Sequence, residues 1–252
     1  MAKNIVVSAP RSGLNWIRYC VETFAGVKTP GKTSLLPGDE NTQEAFLRTH
    51  DALGWTRRRR HGAWQNIPRS EAQQAKVSLV LRDPLESYVR MADSKLRNFG
   101  CYVGNIRFLS RCQDADVRVF YYEDLTTNPE TMMSLLDFLD LKDLPGSTGY
   151  SLEVLRGRWD ELAESSRNMY DVKQAVGGGS KTKKAPRDFK FHQKRLSEQD
   201  KRRVFNFLRC VLTEEEYRLL ERYDVPPYDD GAESALFRSA RAVLGKLSSS
   251  RV

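Results

Sequence analysis

The chain has 252 residues, 40% of them apolar, with 41 Lys or Arg against 33 Asp or Glu and a formal net charge of +8. That length holds one large domain or two small ones around a substantial core, and the apolar share excludes a disordered chain. The positive balance favours anionic partners without choosing among nucleotide, nucleic acid, sulfated glycan or lipid headgroup.

Three scattered histidines (His50, His61, His192) and four cysteines (Cys20, Cys101, Cys112, Cys210) without CxxC spacing argue against a metal site and for reduced thiols. The N-terminal apolar run is too short for a signal sequence or membrane span, so a cytoplasmic protein is expected. No internal repeat is visible.

Ile5-Val6-Val7 reads as a strand, Ser8 to Trp16 as a tight turn, and residues 17–24 as a helix. Strand, turn and helix start in that order aim free N–H groups and the positive end of the helix dipole at one spot, which suits an anion. Arg11 adds a forked guanidinium suited to phosphate or sulfate oxygens, and Gly13 permits close approach of the backbone. Leu14 and Asn15 stand where a nucleotide-kinase loop needs Lys and Ser or Thr, which argues against Mg-ATP chemistry.

Residues 26–41 read as loop, and residues 45–50 as a short strand ending in Arg48, Thr49 and His50. The arginine run at 57–60 is either a solvated face or a rim that attracts an anionic substrate or nucleic acid. A helix-like stretch at 70–75 leads into Val77-Ser78-Leu79-Val80-Leu81, an apolar run suited to a strand buried on both faces. It ends at Arg82, after which Asp83 and Pro84 mark a helix start.

Residues 117–122 form the fourth strand candidate, ending at Tyr122. Asn128-Pro129 then opens a helix with Met132, Leu135, Leu136 and Leu139 on one face. A helix is expected over 151–165, then a Gly- and Lys-rich stretch over 177–187 that either covers an anionic ligand or simply links. Ser197 opens a helix to about Leu212, and Thr213 to Glu216 forms a capping-box pattern. Residues 232–247 have the pattern of a basic amphipathic helix.

Strands alternating with helices over the first 140 residues indicate an α/β fold with a mainly parallel central sheet flanked by helices, followed by a helical part. The expected organisation is a single domain over 1–230, with the sheet core in 1–140, a helical part with a covering loop in 150–225, and a tail over 231–252. In such sheets ligands gather beyond the carboxyl ends of the strands, where Arg11, His50, Arg82 and Tyr122 fall.

These pieces, in this order, resemble the sulfotransferases that use 3′-phosphoadenosine 5′-phosphosulfate (PAPS). Pro10-Arg11-Ser12-Gly13, followed by Trp16, resembles the family's 5′-phosphosulfate loop, P-K/R-S-G-T-x-W. Arg48-Thr49-His50 resembles the K-T-H segment whose histidine is the catalytic base. Leu81-Arg82-Asp83-Pro84 resembles the element that binds the 3′-phosphate, and Tyr122-Glu123-Asp124-Leu125 the one whose tyrosine contacts adenine. The likeness spans positions 4–139; beyond it Asp188-Phe189-Lys190 stands where the family often has D-W-K.

The resemblance implies a P-loop-like three-layer fold and transfer of a sulfuryl group to a hydroxyl, or an amine, of a polar small molecule or sugar, with release of 3′-phosphoadenosine 5′-phosphate (PAP). It assigns His50, Arg11 and Arg48 to catalysis, and Arg11, Ser12, Gly13, Leu14, Asn15, Trp16, Arg82, Arg90, Tyr122, Lys183 and Lys184 to the nucleotide. Arg90 stands where the family has a serine, leaving Ser87 or Ser94 as alternatives for the 3′-phosphate. Lys181, Lys183, Lys184 and Arg187 replace the R-K-G loop.

For Trp16 and Tyr122, core packing is an equal alternative to adenine contact. The acceptor pocket is expected from residues 29–44, 52–65, 96–108 and 150–176, with Trp55, Trp64 and Trp159 as walls. Two rival functions are a kinase-like transferase using ATP and a basic nucleic-acid-binding protein, the latter being the less expected.

Overall fold

The computed structural model describes residues 3–31, 43–56, 62–91, 96–176, 189–190 and 192–228. Lys183, Lys184, the arginine run at 57–60 and the expected helix at 232–247 lie outside these residues.

Four strands, β1 (Lys3–Ser8), β2 (Leu47–Thr49), β3 (Ala75–Leu81) and β4 (Asp116–Tyr121), form one sheet in the order β2-β1-β3-β4. Every pair is parallel. The chain is therefore α/β, with an all-parallel sheet and flanking helices. Alternation along β1 sends Ile5 and Val7 to one face and Val6 to the other. One buried cluster joins Ile5, Val7, Val77, Leu79 and Leu81 to α4 (Leu96–Arg107) and α8 (Glu198–Val211). The opposite cluster joins Val6, Val80 and Phe120 to α1 (Leu14–Cys20), α6 (Pro129–Phe138) and α7 (Leu152–Val176). Helices thus cover both faces, which explains why β3 is apolar almost throughout rather than alternating.

Local chemistry sets the helix boundaries. The Asp83 carboxylate accepts from the N–H groups of Leu85 and Glu86 at 2.9 and 3.0 Å, with Pro84 next, opening α3 (Pro84–Arg90). Asn128 caps α6 by accepting from Thr131 N–H, and Ser197 caps α8 through Asp200 N–H. At α9 (Glu214–Arg218) both halves of the capping box are present. α1 continues as a wider π-helical turn over Val21–Ala25, ending on left-handed Gly26.

Several sequence expectations change. The helix-like stretch at 70–75 is the single turn α2 (Arg69–Ala72), with Ala75 already in β3, and the fourth strand ends at Tyr121 instead of Tyr122. The segment 96–108, read as an acceptor wall, is mostly α4, whose Phe99, Tyr102, Val103 and Ile106 turn into the core. The helix expected over 151–165 runs on to Val176.

Candidate functional site

The strand order contains a reversal: from β1 the chain goes to β2 on one side, then crosses to β3 on the other. The crevice beyond the carboxyl ends of β1 and β3 is the place where such sheets hold ligands. Register decides which side chains meet there. Val7 pairs with Thr49, so Ser8 and His50 leave the sheet side by side. Leu81 pairs with Tyr121, so Arg82 and Tyr122 do the same.

The β1–α1 turn carries two left-handed residues within three positions, Arg11 at φ 68° and Gly13 at φ 87°. A non-glycine residue in that region stores strain, a condition that clusters at ligand sites. Ser12 N–H closes the turn on Ala9 C=O at 3.2 Å, and the N–H groups of Trp16 and Ile17 reach Gly13 C=O at 2.9 and 3.1 Å. The Arg11 side chain is exposed, without an ion-pair partner among the described residues. Leu14 is buried, so its side chain anchors the helix in the core. Asn15 is exposed.

Arg82 is 4% exposed, and three contacts fix it. Its Nη1 donates to Arg11 C=O at 2.7 Å, its guanidinium lies 4.1 Å from the Tyr122 ring centroid, and Nη2 is 3.9 Å from Glu86 Oε2. Burial, then the charge of Arg90, lowers its pKa from the ordinary arginine value, against the pull of Glu86 and Glu123. Tyr122, the first residue of α5 (Tyr122–Thr127), lays its ring on Gly13. A Cβ there would collide with Tyr122 Cδ2 and sit 2.7 Å from Cε2.

Gly13→Ala therefore combines strain and overlap. The left-handed backbone costs about 1–2 kcal/mol, and overpacking adds about 1–3 kcal/mol. Urea unfolding is expected to show a loss of roughly the sum of these two. Made in a Tyr122→Ala background, where the overlap is already gone, the same substitution should cost only the backbone part.

Glu86, fully buried on α3, gathers the neighbouring charges. Its Oε1 accepts from the N–H groups of His192 and Gln193 at 2.5 and 2.8 Å, and its Oε2 from Arg90 Nε at 2.7 Å. Arg90 is thus held by a carboxylate 2.7 Å away rather than extended alone. His192 Nδ1 lies 3.5 Å from Glu86 Oε2. Burial, then the charge of Arg90, lowers the His192 pKa from the ordinary histidine value against the pull of Glu86. Phe189 meets Tyr122 edge-on at 5.9 Å, so Phe189 lies along the same edge, as do His192 and Gln193 through Glu86. Burial raises the Asp83 pKa, opposed by its bond from Glu86 N–H.

His50 sits at the end of β2. Its Nδ1 is 2.8 Å from Ser8 C=O, its N–H donates to Ala63 C=O at 2.6 Å, and its ring meets Trp64 edge-on at 5.4 Å. A carbonyl oxygen only accepts, so in the neutral ring Nδ1 holds the proton and Nε2 carries the lone pair. Arg48 is half-buried in the same strand.

Trp16 is half-buried and held on two sides: its Nε1–H donates to Leu125 C=O at 2.6 Å, and its ring meets Trp159 edge-on at 5.3 Å. Trp159, expected as a pocket wall, makes the other side of that contact. Trp55 lies against Gly104, where a Cβ would be 3.2 Å from its ring.

Four buried polar atoms around the two turns have no hydrogen-bond partner among the described residues: Ser8 Oγ, Ser12 Oγ, Arg82 Nε and Ser87 Oγ. Buried polar groups are ordinarily paired, so such a concentration marks a place where a polar ligand would complete the bonding. Among the described residues no group of three or more His, Cys, Asp or Glu is placed to hold a metal ion. No helix among them is long and apolar enough to cross a membrane.

The structure brings the Arg11 carbonyl, Gly13, Arg82 and Tyr122 into one contact group, with His50 attached through the Ser8 carbonyl and the Arg11 side chain exposed beside it. Sequence reading missed Glu86, His192 and Asn105: Glu86 pairs with Arg82 and Arg90 four residues to either side, a local spacing that could have pointed to it, while His192 and Asn105 join through tertiary contacts. No protein-family model, curated protein or solved structure matches the chain at a significant level.

Proposed function

We propose that this chain is a PAPS-dependent sulfotransferase of P-loop-like three-layer architecture, acting in the cytoplasm on a hydroxyl or amine of a polar small molecule or sugar. One observation carries the reading: the Arg11 carbonyl, Gly13, Arg82 and Tyr122 meet at the carboxyl ends of β1 and β3, with the exposed Arg11 guanidinium on the same turn as buried Ser12 Oγ and beside Arg82 Nε, neither of which has a partner among the described residues. Those donors suit the phosphates of the nucleotide, and Tyr122 offers its ring to the adenine.

The donor supplies a sulfuryl group on a phosphate leaving group. An incoming hydroxyl is a weak nucleophile until its proton is taken, and His50 Nε2 is the acceptor for that proton. The acceptor oxygen then bonds to sulfur as the bridging S–O bond breaks, in line, and its electron pair stays on the departing phosphate oxygen. Arg11, Arg48 and the N–H groups at the start of α1 neutralise the charge that builds there, with Ser12 as a further donor. Arg82 and Arg90 serve the 3′-phosphate, Arg82 while also bracing the loop.

The test is a panel of hydroxyl and amine acceptors incubated with ³⁵S-labelled PAPS, with γ-labelled ATP and Mg²⁺ run in parallel. Transfer of sulfur label, and tighter binding of PAP than of adenosine 5′-phosphate by calorimetry, are expected. Phosphate transfer, or equal affinity for the two nucleotides, overturns the reading.

A further inference from the structure

We infer that Asn105, a residue of α4 outside every motif considered above, is a positioning residue that sets the ring of His50 for proton transfer. The inference rests on the reading of His50 as the base, and deepens it.

Asn105 is 1% exposed on a helix whose neighbouring buried side chains are mostly apolar. An amide placed there without partners is costly, so its two bonds are informative. Its Oδ1 accepts from Ala52 N–H at 2.9 Å, and its Nδ2 donates to His50 C=O at 3.1 Å. The orientation of the amide is unambiguous, because a backbone N–H only donates and a carbonyl only accepts. One side chain therefore clasps the chain on both sides of Asp51.

Asp51 stiffens the same turn from within. Its carboxylate is buried and accepts from the N–H groups of Trp55 and Thr56, both at 2.8 Å, while its own N–H donates to Thr49 Oγ1 at 3.1 Å. His50 is held through its N–H by Ala63, through its carbonyl by Asn105 and through Nδ1 by Ser8. Two of these partners are backbone carbonyls, beyond the reach of side-chain substitution. The third is the amide from α4. It fixes the peptide plane that follows His50, and through that plane the direction in which the ring leaves the backbone. With Nδ1 kept against Ser8, the lone pair stays on Nε2.

Two variants separate positioning from mere support. Asn105→Leu keeps the volume and deletes both bonds. Asn105→Asp keeps the acceptor for Ala52 N–H and turns a second acceptor toward the His50 carbonyl, repelling it. The chain has three histidines, so ¹⁵N-histidine spectra of the full chain are simple, and His50→Gln assigns its signals.

In the wild type, the His50 signals should report protonated Nδ1 and unprotonated Nε2. In both variants they should move toward a mixture of tautomers, and kcat for sulfuryl transfer should fall roughly ten- to a hundredfold, the effect of an ångström-scale misplacement. The KM for the donor should stay within about twofold, because the nucleotide cradle is untouched.

Unchanged ring signals in folded variants, whatever happens to kcat, overturn the inference. If Asn105→Leu does not fold, Asn105→Asp decides alone. Shifted ring signals in a protein whose wild type transfers no sulfuryl group support the placement of His50 while overturning the donor assignment.

Discussion

His50→Ala should lower turnover about a hundred- to ten-thousand-fold, the range that general-base assistance contributes, while PAP still binds with near wild-type affinity. The expectation follows from where His50 sits. Its contact with Ser8 C=O ties it to the end of β1, next to the β1–α1 turn and outside the Arg11–Arg82–Tyr122 contact group. Deleting the imidazole removes the proton acceptor and leaves the nucleotide donors standing. Turnover measured with labelled donor, alongside calorimetry with PAP, separates the two effects. His50→Gln adds a control that preserves bulk and hydrogen bonding without basicity. It should be as impaired as the alanine variant. Unimpaired turnover in either variant removes His50 from the mechanism, and parallel loss of PAP binding reassigns it to holding the turn.

The parts of this arrangement that sequence revealed are those with local causes. Ile5-Val6-Val7 and the run from Val77 to Leu81 are β-branched and apolar enough to specify buried strands by themselves. Asp83-Pro84, Asn128-Pro129, Ser197 and Thr213 specify helix starts because the cap is a bond within four residues. Placing Arg11, His50, Arg82 and Tyr122 at one edge required only strand ends and the rule that parallel strands point the same way.

The parts not revealed have distant causes. α4 contains Gly100 and Gly104, each of which disfavours a helix by about 1 kcal/mol relative to alanine. Packing overrides that cost: Phe99 stacks on Tyr102 at 4.8 Å, and Gly104 makes room for Trp55. Glu86 reads as an ordinary helix-face acid until the chain returns 106 residues later to present two N–H groups to it. Asn105 reads as a helix-weakening polar residue until residues 50–52 arrive against it. In each case the decisive partner lies far along the chain, beyond any local window.

That distinction bears most on Arg82, whose position was readable and whose contacts were not. Arg82→Ala should weaken PAP binding roughly ten- to a hundredfold, as loss of charge-assisted hydrogen bonds worth about 1.5–3 kcal/mol implies. It should weaken adenosine 5′-phosphate less. The sequence motif alone would leave the second ligand unaffected, but the guanidinium also bonds Arg11 C=O and lies over Tyr122, so the loop loses a brace in either case.

Comparing the two nucleotides cancels the bracing term and leaves the 3′-phosphate term. Arg82→Lys tests the same partition differently: it keeps the charge but gives up the planar fork that spans Arg11 and the Tyr122 face. It should therefore retain more discrimination between the ligands than alanine does, while sharing much of the overall loss. Equal losses for both nucleotides in Arg82→Ala would confine this arginine to holding the turn and leave the 3′-phosphate to other groups.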